Sequence, residues 1–348
     1  MEGLVRIDGS QGEGGGQILR TALAMGAVYG RPVEIFNVRA GRATPGLRPQ
    51  HVACLRAAAE ICGAEVEGDA VGSLRVAFRP GRIRPGVYRF EVGTAGSVTL
   101  VAQTVLPILL SADGASTVTI VGGTHVPLSP TWDYFAETFL PQLRRMGAEV
   151  DARIVRHGFS PAGGGEVVLD VKPWTTAVRY ELLERGRLNQ VRAVARVANL
   201  PLDIAESEIE TISGYYACIR WIPDFKTRVE TVDSAGPGNV CIIRHTYENV
   251  TVVFSGIGTR GKSRKKVADE VIFKAIFRKL VYGWRSATDV YLSDQLLLPL
   301  FLVADRLPEG ETCWGRFTMP RKHSLHFDTN WNVLKMFRGD CEMREIIN

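Results

Sequence analysis

One stretch of this 348-residue chain occurs twice, and that repetition restricts the fold more than any other feature. Leu55–Val66 reads LRAAAEICGAEV and Phe139–Val150 reads FLPQLRRMGAEV, which aligns Cys62-Gly-Ala-Glu-Val with Met146-Gly-Ala-Glu-Val at an offset of 84 residues. Solenoid periods are shorter, roughly 20–50 residues, so each copy is a small α/β unit rather than a stacked turn. Each copy ends a helix on glycine at the left-handed C′ position and then enters a strand. Ser73-Leu-Arg-Val-Ala-Phe and Glu166-Val-Val-Leu-Asp-Val supply the strands that follow. The fronts match as well. Gly14-Gly-Gly-Gln-Ile-Leu-Arg-Thr-Ala-Leu and Gly96-Ser-Val-Thr-Leu-Val-Ala-Gln-Thr-Val each open a helix after glycine and lead to Val33-Glu-Ile-Phe-Asn-Val or Thr117-Val-Thr-Ile-Val. A third copy is expected to open at Ser293-Asp-Gln-Leu-Leu-Leu-Pro-Leu-Phe-Leu, with Thr329–Phe337 as its second helix.

The stretch between copies two and three has a different grammar. Val191–Val197 alternates as a strand, Glu206–Arg220 reads as a helix, and Asn239–Ile243 and Val250–Phe254 read as strands. Ser263–Tyr282 reads as a long helix from the spacing of Val267, Val271, Ile272, Ala275, Ile276 and Leu280. The expected class is therefore α/β (α+β). Residues 1–185 hold repeats one and two, 186–283 an inserted α/β module, and 284–348 the third repeat.

Composition narrows the function classes. Apolar residues make up 45% and charged ones 23%, which excludes a largely disordered chain. The net charge of +5 permits a polyanionic partner without demanding one. No run approaches the roughly 18 apolar residues of a membrane span, and the N-terminus lacks the layout of a signal peptide. Six scattered cysteines (Cys54, Cys62, Cys218, Cys241, Cys313, Cys341) form no C-x-x-C pair. They read as buried reduced thiols rather than a zinc site, and the expectation is a soluble cytoplasmic protein.

Two loops concentrate phosphate-binding chemistry. In Arg6-Ile-Asp-Gly-Ser-Gln-Gly-Glu-Gly-Gly-Gly-Gln-Ile-Leu-Arg the glycines let backbone approach a ligand closely. Glu13 within that run suits a hard divalent cation, and Arg20, one helical turn past Gln17, suits a phosphate. A tight strand-to-helix turn explains the glycines but not Glu13. In Arg39-Ala-Gly-Arg-Ala-Thr-Pro-Gly-Leu-Arg-Pro-Gln-His, donors gather at Arg39, Arg42, Arg48, Gln50 and His51. A third Gly-rich turn is His157-Gly-Phe-Ser-Pro-Ala-Gly-Gly-Gly-Glu-Val. Gly256-Ile-Gly-Thr-Arg-Gly-Lys-Ser fits the pattern of a phosphate-cradling P-loop between a strand and a helix. The further βαβ units and acidic strand end of such a domain do not follow it, so a basic, solvated helix start at Arg260, Lys262, Arg264, Lys265 and Lys266 is favoured.

The chain resembles the RNA 3′-terminal phosphate cyclase family, in its catalytic branch, over most of its length. The resemblance is carried by Gly9-Ser-Gln-Gly-Glu-Gly-Gly-Gly-Gln-Ile-Leu-Arg, Arg39-Ala-Gly-Arg, His157-Gly-Phe-Ser-Pro-Ala-Gly-Gly-Gly, Tyr291-Leu-Ser-Asp-Gln-Leu and Ser324-Leu-His-Phe-Asp-Thr-Asn. It implies three βαβαββ-type units with a smaller α/β insert before the last. The implied activity is ATP-dependent conversion of an RNA 3′-phosphate into a 2′,3′-cyclic phosphodiester, through covalent histidyl-AMP and RNA-(3′)pp(5′)A, with release of AMP and pyrophosphate. Mapped residue by residue, the resemblance makes His326 the nucleophile, with His323 as the competing histidine. ATP is assigned to Gln103, Pro130 and Tyr291, Leu292, Ser293, Asp294 and Gln295. Arg20, Arg39, Arg42, Gln50 and His51 fall on the RNA-phosphate side, and Glu13 lies near the Mg²⁺ or Mn²⁺ ion. RNA 3′-phosphate ends are the implied partner, no membrane is involved, and a homodimer stays open. A nucleolar branch of the family lacks the catalytic histidine, and the presence of His326 argues against it. Enolpyruvyl transferases also use repeat folds, but the Tyr291 and His326 motifs do not belong to their chemistry.

Overall fold

The computed structural model describes residues 3–219, 222–281, 286–307, 315–320 and 324–338. His323, Trp221, Trp284, Cys313, Cys341 and the tail beyond Arg338 lie outside the described residues.

The first copy runs β1 (Val5–Asp8), α1 (Gly16–Tyr29), β2 (Val33–Phe36), α2 (Pro49–Cys62), β3 (Glu65–Glu67) and β4 (Val76–Arg79). The second runs β5 (Val87–Glu91), α3 (Val98–Leu109), β6 (Ser116–Gly122), α4 (Trp132–Tyr134), a π-turn over Phe135–Phe139, α5 (Leu140–Arg145), β7 (Val150–Arg156) and β8 (Gly165–Val171). Their sheets, β1-β2-β4-β3 and β5-β6-β8-β7, share strand order, and in each the first pair is parallel and the other two antiparallel. The repeated Gly-Ala-Glu-Val fixes the corner in both, because Gly63 (φ 60°) and Gly147 (φ 99°) take left-handed backbone after the helix. The second copy breaks its helix into three pieces where the first has one. Pro141, just inside α5, has no N–H to continue the i→i−4 ladder, and the preceding turn is π.

Chain order continues with β9 (Tyr180–Leu182), then a sheet of different pattern: β10 (Leu188–Ala198), α6 (Asp203–Ala217), β11 (Phe225–Thr231), β12 (Gly238–Tyr247), β13 (Thr251–Ile257) and α7 (Arg264–Val281). Its strand order is β11-β10-β12-β13. After it come α8 (Val290–Ala304), β14 (Gly315–Phe317) and α9 (Leu325–Arg338), and β14 pairs in parallel with β9 across the whole intervening stretch.

The helix α8 starts three residues earlier than the repeat alignment expects. The Asp289 carboxylate accepts N–H bonds from Tyr291 (2.8 Å) and Leu292 (2.7 Å) and so caps the first turn. In that register α3 and α8 share one pattern, Val98-x-Leu100-x-x-Gln103-x-x-Leu106-Pro107 and Val290-x-Leu292-x-x-Gln295-x-x-Leu298-Pro299. Likewise α9 begins four residues before Thr329 and takes in His326.

Period-two burial explains how the β11-β10-β12-β13 sheet is covered on both sides. Val191, Ala193, Ala195 and Val197 of β10 join the main core beneath α6 and α7. The opposite face sets Ala198, Val240, Ile242 and Val253 against Tyr134 and Phe159. Beside this apolar patch sits a buried ionic cluster. Asp133, 4% exposed, accepts from His125 Nε2 (2.6 Å), Arg196 Nη1 (2.8 Å) and Arg244 Nη2. Burial pushes this carboxyl up, but the His125 hydrogen bond and the two guanidiniums outweigh it and hold Asp133 well below the usual carboxylate range. The His157-Gly-Phe run belongs to the same joint. The His157 ring stacks on His125 at 5.4 Å, and the Gly158 carbonyl accepts from the N–H groups of Thr124 and His125.

Cys54, Cys62 and Cys241 are buried and free, whereas Cys218 is exposed at the end of α6, contrary to the expectation of buried thiols. Among the described residues no helix is long and apolar enough to cross a membrane.

Candidate active site

The first turns of α1, α3 and α8 converge with the start of α9 on one cleft of about 1180 Å³. The repeat makes this convergence natural, since equivalent helix starts point to a shared centre. Twelve of the fourteen site residues expected from the sequence line that cleft: Glu13, Arg20, Arg39, Arg42, Gln50, His51, Gln103, Pro130, Tyr291, Asp294, Gln295 and His326.

 Arg48 of the arginine loop lines it as well. Leu292 and Ser293 turn into the core instead, because a helix brings only Tyr291, Asp294 and Gln295 of that run to one face.

At one end of the cleft the backbone of α1 is bare. Its N-cap is Gly15, with no side-chain cap, and a Cβ on Gly16 would lie 2.3 Å from His51 Nε2. Only glycine allows the helix start, His51 and Arg20 to come this close. His51 is 5% exposed, and its Nδ1 accepts the Arg48 N–H at 3.0 Å. Burial, reinforced by Arg20, Arg39 and Arg48, pulls its pKa down to about 3. The ring is therefore neutral, with its proton on Nε2 facing the cleft, a donor aimed beside the α1 amides. Arg39 donates to Thr44 O (2.7 Å) and Gly46 O (2.9 Å) and so shapes its own loop. Arg42 reaches across to Glu13, donating to its backbone carbonyl (2.9 Å) and pairing with Oε1. Gln50 accepts the Ser97 N–H at 3.2 Å and ties the loop to the start of α3.

The helix α9 closes this end. Thr329 Oγ1 accepts the Glu13 N–H (2.8 Å) and donates to Leu325 O (2.7 Å). The His326 side chain is 47% exposed, with Nδ1 2.7 Å from Gln17 Oε1 and 3.8 Å from Glu13 Oε2. Partial burial, then the charges of Arg20 and Arg42, lower its pKa from the ordinary 6.5. Behind it, Gln17 Nε2 donates to Asp294 Oδ1 at 2.5 Å, Asn330 Nδ2 donates to the same oxygen at 3.2 Å, and Thr21 Oγ1 donates to Asn330 Oδ1 at 2.7 Å. Burial pushes Asp294 up to about 6, against the lowering effect of the Gln17 and Asn330 bonds. Thr329 and Asn330 follow His326 by one turn of α9, whereas Gln17 reaches it only through the pairing of α1 with α9.

At the other end Tyr291, 48% exposed, stands edge-on to Tyr134 at 6.5 Å between ring centres. The Tyr134 hydroxyl donates to Asp289, the residue that caps α8. Thr99 Oγ1 donates to Pro130 O at 2.8 Å and fixes that loop over α3. Gln103 Nε2 and Gln295 Oε1, at equivalent places in α3 and α8, are buried polar atoms with no protein partner. The Gly256–Ser263 run also meets the cleft through Lys262, which is half-buried and bonded to Ile257 O (2.8 Å) and Glu270 rather than solvated as expected.

A family profile described as RNA 3′-terminal phosphate cyclase matches residues 11–341. The chain is similar to a protein named RNA 3′-terminal phosphate cyclase from Salmonella enteritidis, 40% identical over 348 residues, covering 99% of this chain and 97% of that one. A protein of the same name from Koribacter versatilis is 42% identical over 334 residues, covering 96% and 90%. Among solved structures, the enolpyruvyl transferase NikO from Streptomyces tendae aligns over 52% of this chain and 32% of its own at 14% identity and a TM-score of 0.25, a likeness too slight to decide anything about the fold. With a profile match over residues 11–341 and 40% identity along nearly the whole of both chains, the chain belongs to the RNA 3′-terminal phosphate cyclase family.

Proposed function

We propose that this protein converts an RNA 3′-phosphate into a 2′,3′-cyclic phosphodiester, with ATP as co-substrate and His326 as the nucleophile. The observation that carries the reading is a half-exposed imidazole, held at Nδ1, in a cleft lined by Arg20, Arg42 and His51. In the first step the Nε2 lone pair attacks the α-phosphorus of ATP, and the bond to the bridging oxygen breaks as pyrophosphate leaves. In the second step an oxygen of the RNA 3′-phosphate takes the AMP from the histidine. In the third, the neighbouring 2′-hydroxyl attacks the 3′-phosphorus, loses its proton to water or base, and expels AMP.

The two unpartnered glutamine atoms, one donor and one acceptor, complement the edge of adenine, which presents an amino donor beside a ring-nitrogen acceptor. Tyr291 and Pro130 suit the faces of the base, and Asp294 the ribose. Glu13 Oε2 is buried and has no hydrogen-bond partner among the described residues, which fits a bound Mg²⁺ or Mn²⁺ ion. Among the described residues no group of three or more metal-binding side chains exists, so such an ion would take one protein oxygen and complete its shell from phosphates and water. Its chemistry there is to neutralise the triphosphate and steady the pyrophosphate leaving group. The buried free thiols suit a reducing compartment, and the reading places the protein in the cytoplasm.

An oligoribonucleotide ending in a 3′-phosphate tests the activity. The expected result is ATP-dependent conversion to a phosphatase-resistant end, with a 3′-hydroxyl oligonucleotide left unchanged; no conversion of the 3′-phosphate would refute it. Because His326 must be neutral to attack and its pKa is lowered, AMP labelling should keep its rate down to below pH 6.5 before falling on the acid side. An acid limb well above 6.5 would contradict that assignment. Lys262→Ala should leave labelling within a few-fold of the wild type, since its ammonium is already held by Glu270 and Ile257 O. Collapse of labelling in that variant would point to phosphate binding by the Gly256–Ser263 run.

A further inference from the structure

We propose that Gln17 is a positioning residue that fixes which nitrogen of His326 carries the proton, so that Nε2 alone is available as the nucleophile. The inference rests on the histidyl-AMP reading above and deepens it. A neutral imidazole has one protonated and one bare nitrogen, and only the bare one can attack phosphorus. Histidine solutions populate both forms. A site that leaves the choice open therefore holds part of its population in a form that cannot react.

The choice is settled by a chain of hydrogen bonds whose direction can be read from its far end. Thr21 Oγ1 donates to Asn330 Oδ1, which leaves the Asn330 amide nitrogen to donate to Asp294 Oδ1. At pH 8, above the value of about 6 to which burial lifts it, Asp294 is an anion and only accepts, so the atom Gln17 presents to it at 2.5 Å is its amide nitrogen. The Gln17 oxygen must then face His326, and at 2.7 Å from Nδ1 it demands a proton there. Glu13 Oε2, 3.8 Å from Nδ1, is also an acceptor. Burial, then Arg20 and Arg42, disfavours the doubly protonated form. The hydrogen bond at Nδ1 thus selects one neutral state: Nδ1 protonated, Nε2 bare. Among the described residues no hydrogen bond reaches Nε2.

The consequence extends past the attack. When Nε2 bonds to the α-phosphorus the ring becomes a cation that still holds its Nδ1 proton, and the Gln17 carbonyl is already in place to accept from it. No proton needs to move as pyrophosphate leaves. Gln17 touches neither ATP nor the reacting phosphorus in this scheme; it acts through the histidine.

Long-range ¹H–¹⁵N spectra of protein labelled at histidine, at pH 8 and without nucleotide, test the proposal directly, with His326 assigned by its loss in His326→Ala. The expected pattern is protonated Nδ1 and bare Nε2 in the wild type. In Gln17→Met, which removes the acceptor, the two forms should mix. The rate of AMP labelling should then fall about 10- to 100-fold, as for other groups that orient an imidazole, with the KM for ATP little changed. Gln17→Glu restores an acceptor at Nδ1 once a shared proton bridges its other oxygen to Asp294, so the Nδ1-protonated pattern should return, with a rate between those of Gln17→Met and the wild type. A wild-type ring protonated on Nε2, or a Gln17→Met protein that keeps both tautomer and rate, overturns the proposal. If Gln17→Met does not fold, the wild-type spectrum and Gln17→Glu still decide it. Absence of AMP labelling in the wild type would instead overturn the parent reading, whatever the spectra show.

Discussion

Replacing His326 with alanine is expected to abolish both AMP labelling and cyclisation, a loss of at least about 10³-fold, because the covalent intermediate is assigned to its imidazole. Among the described residues no second histidine of the cleft can take its place. His51, the other histidine lining it, is neutral too, but its Nδ1 is occupied by the Arg48 amide and its Nε2 carries the proton, so neither nitrogen has a lone pair to give. His326→Ala should bind ATP nearly as well as the wild type, since the residues assigned to the base lie on α3, on α8 and at Pro130. A titration of ATP against the variant separates lost chemistry from lost binding. Residual labelling above a few per cent would move the nucleophile elsewhere, with His323 the first residue to examine.

The largest effect on stability is expected at Asp133. Its carboxylate receives His125, Arg196 and Arg244 in the joint between the second repeat sheet and the sheet of β10–β13. Asp133→Ala would leave two guanidiniums in that buried joint without their shared partner. Arg196 keeps Glu230 and Arg244 keeps Glu137, both at 2.6 Å, so the charges are not wholly orphaned. Removing one partner from a buried ion pair costs about 3–5 kcal/mol, and the same range is expected here. Urea unfolding should show either a single transition moved to lower denaturant by that amount or a split in which the β10–β13 sheet separates first. A change below about 1 kcal/mol would mean the apolar patch of Tyr134, Phe159, Val240, Ile242 and Val253 holds the joint by itself.

Much of this architecture was legible locally. The repeated Gly-Ala-Glu-Val predicts its own left-handed corner, and Gly63 and Gly147 take it up. The Gly-rich run around Glu13 and the arginine loop stand out in the sequence because glycine and guanidinium have few other reasons to cluster, and both line the cleft. What the chain conceals is everything set by distance along it. Gln17 and His326 are 309 positions apart, and no period or motif links them. The cap at Asp289 was missed because the repeat was aligned on Ser293, so the shared pattern of Gln103 and Gln295 stayed out of register. Leu292 and Ser293 entered the candidate set from a contiguous motif, whereas a helix exposes that motif only at every third or fourth residue. The pairing of β9 with β14 is equally invisible, because the strands are short and the whole β10–β13 sheet lies between them.

The central claim is that ATP reacts first with a histidine of this protein, and incubation with α-³²P-ATP and magnesium or manganese measures that step alone. The account predicts a label on the denatured chain that is labile to acid, stable to alkali, confined to the peptide bearing His326 and absent from His326→Ala. A wild-type chain that takes up no label, with phosphate release that depends on Lys262, would contradict it.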